Sequence, residues 1–234
     1  MTANSTAGSL EEQFVELNGR VTSCRRCPRL VAWREEVARV KRRAFRDQVY
    51  WGKPVPGFGD VHARVMIIGL APGAHGGNRT GRMFTGDDSG NFLFRALHRV
   101  GFANQPVAIS RDDGLQLKDL YIGALCRCAP PDNKPTPTEI ANCRPYLIEE
   151  FEAIKPQGIV CLGKMAYDEA LRHLVKSRSG VKLPQFGHGV LIPGDISTPW
   201  VIASYHPSRQ NTQTGRLTTE MFDRIWELAL KQMG

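Results

Sequence analysis

Residues Val65 to Gly90 read VMIIGLAPGAHGGNRTGRMFTGDDSG. The run Val65 to Leu70 has the length and composition of a buried strand. It empties into a loop that carries Gly73, Gly76, Gly77, Gly81 and Gly86. Glycine lets backbone N–H groups come close to a ligand and permits positive φ, so a strand ending in such a loop suits a grip on a base, a phosphate or a sugar. Phe84 is the only large aromatic residue in the loop. Neither GxxxxGK[ST] nor GxGxxG occurs in it, which argues against nucleoside triphosphate and dinucleotide sites.

Working outward, a second apolar strand is read at Trp200 to Ser204, followed by Tyr205-His206-Pro207-Ser208-Arg209-Gln210-Asn211 and Thr214-Gly215-Arg216. Ligands of open parallel sheets lie outside the carboxyl ends of the strands, so these two loops are expected to face each other and to carry the chemistry. Further strands are read at Asp119 to Leu125, Gly158 to Leu162 and Gly189 to Ile192. Helices are expected from Ser9, capped with Glu12, to Thr22; after Cys27 to about Arg43; over Asn91 to Val100; from Thr136, capped with Glu139, to Ile154; over Lys164 to Val175; and over Thr218 to Met233. The segment Tyr50 to Asp60 reads as loop, residues 1 to 8 as a frayed tail, and Lys176 to Lys182 as a basic loop with solvent or DNA as its partner. This alternation predicts an α/β fold with a mainly parallel sheet and helices on both faces.

The chain has 234 residues, enough for one large domain, and a formal net charge of +8, which favours a polyanionic partner. No apolar run reaches membrane-span length and the N-terminus lacks a leader pattern, so a soluble cytoplasmic protein is expected. Of the six cysteines, Cys161 lies in an apolar strand and reads as a buried thiol. Cys24 and Cys27 form a CxxC pair about a hundred residues before Cys128 and Cys143. Four thiolates gathered by a finished fold suit structural zinc or an iron–sulfur cluster, and spacing does not separate the two. Cys126 is an alternative to Cys128; strand alternation lets only one of them face the metal.

Taken together, Cys24-x2-Cys27, Gly69-Leu70-Ala71-Pro72-Gly73, Gly81-Arg82-Met83-Phe84-Thr85-Gly86, Cys128-x-Pro130-Pro131, Cys143 and His206-Pro207-Ser208 resemble the uracil-DNA glycosylases of the iron–sulfur branch. The runs from Ala74 to Arg82 and from His206 to Arg216 are most similar to the family 5 enzymes. The resemblance implies a three-layer α/β/α sandwich and a [4Fe–4S] cluster on Cys24, Cys27, Cys128 and Cys143. It also implies a monofunctional glycosylase that starts base excision repair. Two departures stand out. The carboxylates that family 4 and the prototype enzymes place in the first loop are replaced by Leu70 and Ala71, and the asparagine that reads uracil in family 4 is replaced by Ala124. Loss of that amide predicts a broader choice of deaminated bases, hypoxanthine among them.

In this reading the base is flipped onto Phe84, in a pocket lined by Gly69, Leu70, Ala71, Pro72, Gly73, Asn78 and Ala124. His206 donates a hydrogen bond to the departing base, Asp87 orients the attacking water, and Asn211 holds the water or the base edge. Asp88 or Ser89 is the expected helix cap beside it. Ser208, Arg209, Arg216, Arg79 and Arg82 are expected on phosphates, with Arg209 or Gln210 filling the gap in the duplex. The expected partner is single- or double-stranded DNA containing deaminated bases, met by a monomer. The alternatives are an iron–sulfur protein that binds nucleic acid without cutting it and a small redox protein.

Overall fold

The computed structural model describes residues 8–174 and 183–234. Along the chain run α1 (Leu10–Thr22), α2 (Pro28–Val40), β1 (Phe58–Gly59), β2 (Val65–Gly69), α3 (Gly77–Thr80), α4 (Asp88–Arg99), β3 (Leu120–Ala124) and α5 (Pro137–Ile154). Then follow β4 (Gly158–Leu162), α6 (Lys164–His173), β5 (Leu191–Ile192), β6 (Trp200–Ser204), α7 (Arg209–Gln213) and α8 (Thr219–Met233), and 3-10 turns lie at Arg43–Phe45 and Pro131–Asn133. The sheet order is β1-β3-β2-β4-β6-β5. Its four central strands are parallel, and the two-residue strands β1 and β5 flank them antiparallel.

Every residue of the four central strands is buried, as near-continuous apolar runs require of a sheet covered on both faces. Alternation sorts their side chains. Val65 and Ile67 enter the layer formed with Leu93, Phe94, Phe222 and Trp226 of α4 and α8. Met66 and Ile68 enter the layer of Phe14, Leu17, Leu147 and Tyr167 from α1, α5 and α6. The chain is therefore a three-layer α/β/α sandwich. No helix among the described residues is long and apolar enough to cross a membrane.

Local chemistry sets most helix ends. Ser9 with Glu12 and Thr136 with Glu139 form complete capping boxes, the second with Pro137 in the first turn. Helix α4 begins at Asp88, ahead of the expected Asn91, because Asp87 itself is the cap: its Oδ1 accepts from the Gly90 N–H at 2.9 Å. Helix α2 stops at Val40, short of Arg43, because Lys41 turns to φ 58. Strand β1 falls inside the Pro- and Gly-rich segment read as loop, and α7 inside the loop after His206. The basic loop Lys176 to Lys182 and most of the tail lie outside the described residues.

Candidate active site

The C-terminal ends of β2 and β6 carry the two turns that the sequence sets against each other. The rings of Phe84 and His206 stack with centroids 5.9 Å apart and planes 30° from parallel. Gly69 makes the first contact possible, since a Cβ there would lie 3.0 Å from Phe84 Cζ. Phe84 itself holds φ +50, a conformation costly for a bulky side chain and one that tends to be kept at ligand-binding sites. Ala124 sits opposite Gly69 in the β2–β3 register, and its methyl belongs to the layer against which Phe84 packs.

Burial lowers the His206 pKa to about 4, so the imidazole is neutral at physiological pH. Its backbone is braced: Asn211 Nδ2 donates to the His206 carbonyl at 2.8 Å. Ser208 caps α7, its Oγ accepting from the Asn211 N–H at 3.4 Å. Asn211 thus holds the histidine turn in place. His188, which the sequence reading did not single out, supports the same turn: its Nδ1 accepts from the Tyr205 N–H at 3.2 Å while Nε2 donates to the Met221 carbonyl at 3.2 Å. Its position between two glycines gave no local signal.

Asp87 faces the glycine loop with its second oxygen. A Cβ on Gly76 would collide with Asp87 Oδ2, and one on Gly73 would lie 3.2 Å from it. Burial raises the pKa of this carboxyl, an effect the Gly90 N–H and the Arg79 charge oppose. Arg209, Gln210 and Arg216 are exposed on the turn after His206, Arg216 lying 4.7 Å over the Tyr205 ring.

Several expected ligand contacts are spent inside the protein. Arg79 is buried, donating from Nε to the His75 carbonyl (2.7 Å), from Nη1 to Gln48 Oε1 (2.6 Å) and from Nη2 to the Gly86 carbonyl (2.7 Å). Arg82 is buried in a bidentate pair with Asp113 at 2.9 and 2.7 Å. Neither guanidinium is free for phosphate, which corrects that expectation. Asn78 is fully buried and donates to the Arg34 carbonyl at 3.2 Å, so it braces α2 and does not line a base pocket. Leu70 and Ala71 pack toward the α1, α5 and α6 layer, the opposite side of the sheet from Phe84.

The Arg82–Asp113 pair gives a first expected outcome. Burial alone would raise the Asp113 pKa, but Arg82 and the backbone N–H groups of Ile109, Leu115 and Ser110 hold it well below the usual carboxylate range. Its folded pKa lying below its unfolded one, the pair's stabilisation is present above the ordinary aspartate value and is lost as pH falls toward the folded value. Asp113→Ala leaves Arg82 buried without its counter-charge, and urea denaturation should show a loss of about 3–5 kcal/mol.

On the other side of the glycine loop, Cys24, Cys27, Cys128 and Cys143 line one pocket with Arg34, Asn142 and Tyr146. Three donors reach the sulfurs: Arg34 Nη1 to Cys128 Sγ at 2.8 Å, the Arg127 N–H to Cys143 Sγ at 3.2 Å, and Asn142 Nδ2 to Cys27 Sγ at 3.6 Å. Arg34 is 2% exposed, and its Nε is buried with no partner. A buried cation with an unfilled donor, facing four thiols, suits an anionic group held by the sulfurs. Among the described residues no three Cys, His, Asp or Glu side chains converge closely enough for a single metal ion. Cys126 is fully buried, in the α1, α5 and α6 layer, and does not line this pocket.

Residues 56–230 match the uracil DNA glycosylase superfamily. The chain is 52% identical over 221 residues to a Type-5 uracil-DNA glycosylase of Mycobacterium tuberculosis, covering 94% of this chain and 81% of that protein. It is 49% identical over 230 residues to the Type-5 uracil-DNA glycosylase of Mycobacterium leprae, covering 97% of each. With the Type-5 uracil-DNA glycosylase of Thermus thermophilus the identity is 50% over 214 residues, 90% of this chain and 93% of that protein.

Proposed function

The chain belongs to the uracil DNA glycosylase superfamily, hydrolases of N-glycosyl bonds, and from that membership we propose that the Phe84–His206 site excises uracil and other deaminated bases, hypoxanthine included, from DNA. The stacked pair at the ends of β2 and β6 carries this reading. A base inside a duplex is out of reach, so it must be flipped out and stacked on an aromatic face. Phe84 offers that face. Because its ring already touches His206, the base rests beside the histidine and is not sandwiched between the two rings.

Cleavage leaves positive charge on the sugar and negative charge on the departing base. His206, half-buried and kept neutral by desolvation, donates an N–H to a base carbonyl oxygen as that charge grows. Asp87 lies on the glycine loop, where the oxygen that faces Gly73 and Gly76 holds water toward the sugar cation. Ala124 presents a methyl where an amide would read one base edge, so bases that differ at that edge are admitted alike.

The thiol set fits a [4Fe–4S] cluster on Cys24, Cys27, Cys128 and Cys143, with Arg34 offsetting its charge. When bound, the cluster supplies a cross-link between the α1–α2 turn, the segment after β3, and α5. The proposed enzyme acts as a monomer on single- or double-stranded DNA. In the decisive experiment, labelled oligonucleotides containing uracil or hypoxanthine are incubated with the protein and abasic sites are revealed by alkali. Strand breaks are expected with both bases. Release of uracil alone would remove the broader specificity, and release of neither, with DNA still bound, would favour a binding module.

A further inference from the structure

The turn after α2 carries Lys41-Arg42-Arg43-Ala44-Phe45-Arg46, with Arg42, Arg43 and Arg46 all exposed. Like charges crowded on one short exposed turn repel one another unless something offsets them. Among the described residues neither Arg42 nor Arg43 has a carboxylate within 4.0 Å, the distance limit for an ion pair. Arg46 lies 3.6 Å from Asp47, which is 92% exposed, and Lys41 Nζ donates to the Arg46 carbonyl at 3.2 Å. Among the described residues the charge of Arg42 and Arg43 is thus left without a paired carboxylate, and Arg46 has only the exposed Asp47.

The turn is nevertheless held firmly. Arg79 lies 4.0 Å over the Phe45 ring and donates to Gln48, while its other Nη donates to the Gly86 carbonyl, two residues past Phe84. One buried guanidinium therefore ties the basic turn to the turn that carries the stacking aromatic. Tyr50 OH adds a hydrogen bond of 3.0 Å to His75 Nδ1, and the Trp51 and Gly52 N–H groups donate to the carbonyls of Arg79 and Asn78 at 2.9 and 3.0 Å. The Arg42 charge lies close enough to His75 in the glycine loop to add to the lowering of its pKa that burial begins.

We propose that the segment Lys41 to Arg46 is a phosphate-binding arm that grips the DNA backbone beside the flipped base. Exposed guanidiniums, two of them without a carboxylate and the third beside only the exposed Asp47, anchored to the pocket rim, match the charge and position of a phosphate run flanking an extruded nucleotide. This rests on the reading that DNA is the substrate, and it assigns to Arg42, Arg43 and Arg46 the backbone contacts that the buried Arg79 and Arg82 do not make.

The test is the triple variant Arg42→Ala, Arg43→Ala and Arg46→Ala, compared with the parent by fluorescence anisotropy on an undamaged duplex across a salt series. Each lost phosphate contact removes about 0.9 from the slope of log affinity against log salt, so the slope should fall by roughly 2–3 units. Affinity at about 0.15 M salt should drop on the order of tenfold. The matching triple lysine variant, which keeps the charge, should keep most of the slope. A slope change below about one unit would overturn the proposal. So would equal loss in the lysine variant, which would mean that the arginines shape the turn and do not meet phosphate. Binding to undamaged DNA is read separately from excision. Failure of the parent to release uracil, with the slope change intact, would overturn only the glycosylase reading.

Discussion

His206→Ala should lower the single-turnover rate of uracil release by about 10²–10³-fold, the usual effect of deleting one donor to a developing anion, while duplex affinity stays within about threefold. The histidine ring stacks on Phe84 at the end of β6, and the exposed Arg209, Gln210 and Arg216 on the turn after it remain to meet the backbone. Equal losses in rate and binding would show that it holds DNA and not the leaving base. Its ionisation supplies a second readout. With a folded pKa of about 4, the neutral donor persists well below the ordinary histidine value, so the rate should show no histidine inflection near pH 6.5. Folding of this group is linked to pH in the corresponding sense: between about 4 and the ordinary value the unfolded chain binds more protons, and stability rises with pH across that window.

Asp87→Asn should reduce release by about 10²–10⁴-fold, the range for loss of a positioned acid–base group, with little change in melting temperature. The amide oxygen of asparagine can still accept from the Gly90 N–H, so the cap of α4 survives while the charge is gone. Asp87→Ala removes both and should cost about 1 kcal/mol of stability in addition. The pair of variants separates the two uses of one side chain. If Asp87→Asn retains near-parental rates, the carboxylate is only a cap and the water is placed by other groups.

Much of this architecture was legible from pattern alone. Gly158 to Leu162 and Trp200 to Ser204 coincide with β4 and β6, because buried parallel strands are short apolar runs with sharp ends. Both capping boxes were readable because their partners are three residues apart. What escaped was decided at long range. Arg79 and Arg82 look like surface cations in sequence, yet Gln48 is 31 residues before one and Asp113 is 31 residues after the other. Asn78 is turned inward by a carbonyl 44 residues away. Strand β1 is two residues long in a Pro- and Gly-rich segment, too short for any periodicity to show. The basic turn at Lys41 to Arg46 has no local signature of purpose, and its first residues read as helix; its anchorage through Arg79 is visible only in three dimensions.

That anchorage, with the bidentate clamp on Arg82, bears on how damaged bases are found. On the proposed function, a recognition loop fastened at two buried guanidiniums meets DNA already shaped, which lowers the ordering entropy of the encounter. Deformation then falls to the nucleic acid. Bases that sit in weak or mismatched pairs leave the stack most readily, so on the proposed function, with a duplex as substrate, discrimination begins with the mechanics of the DNA before any atom of the pocket has touched the base.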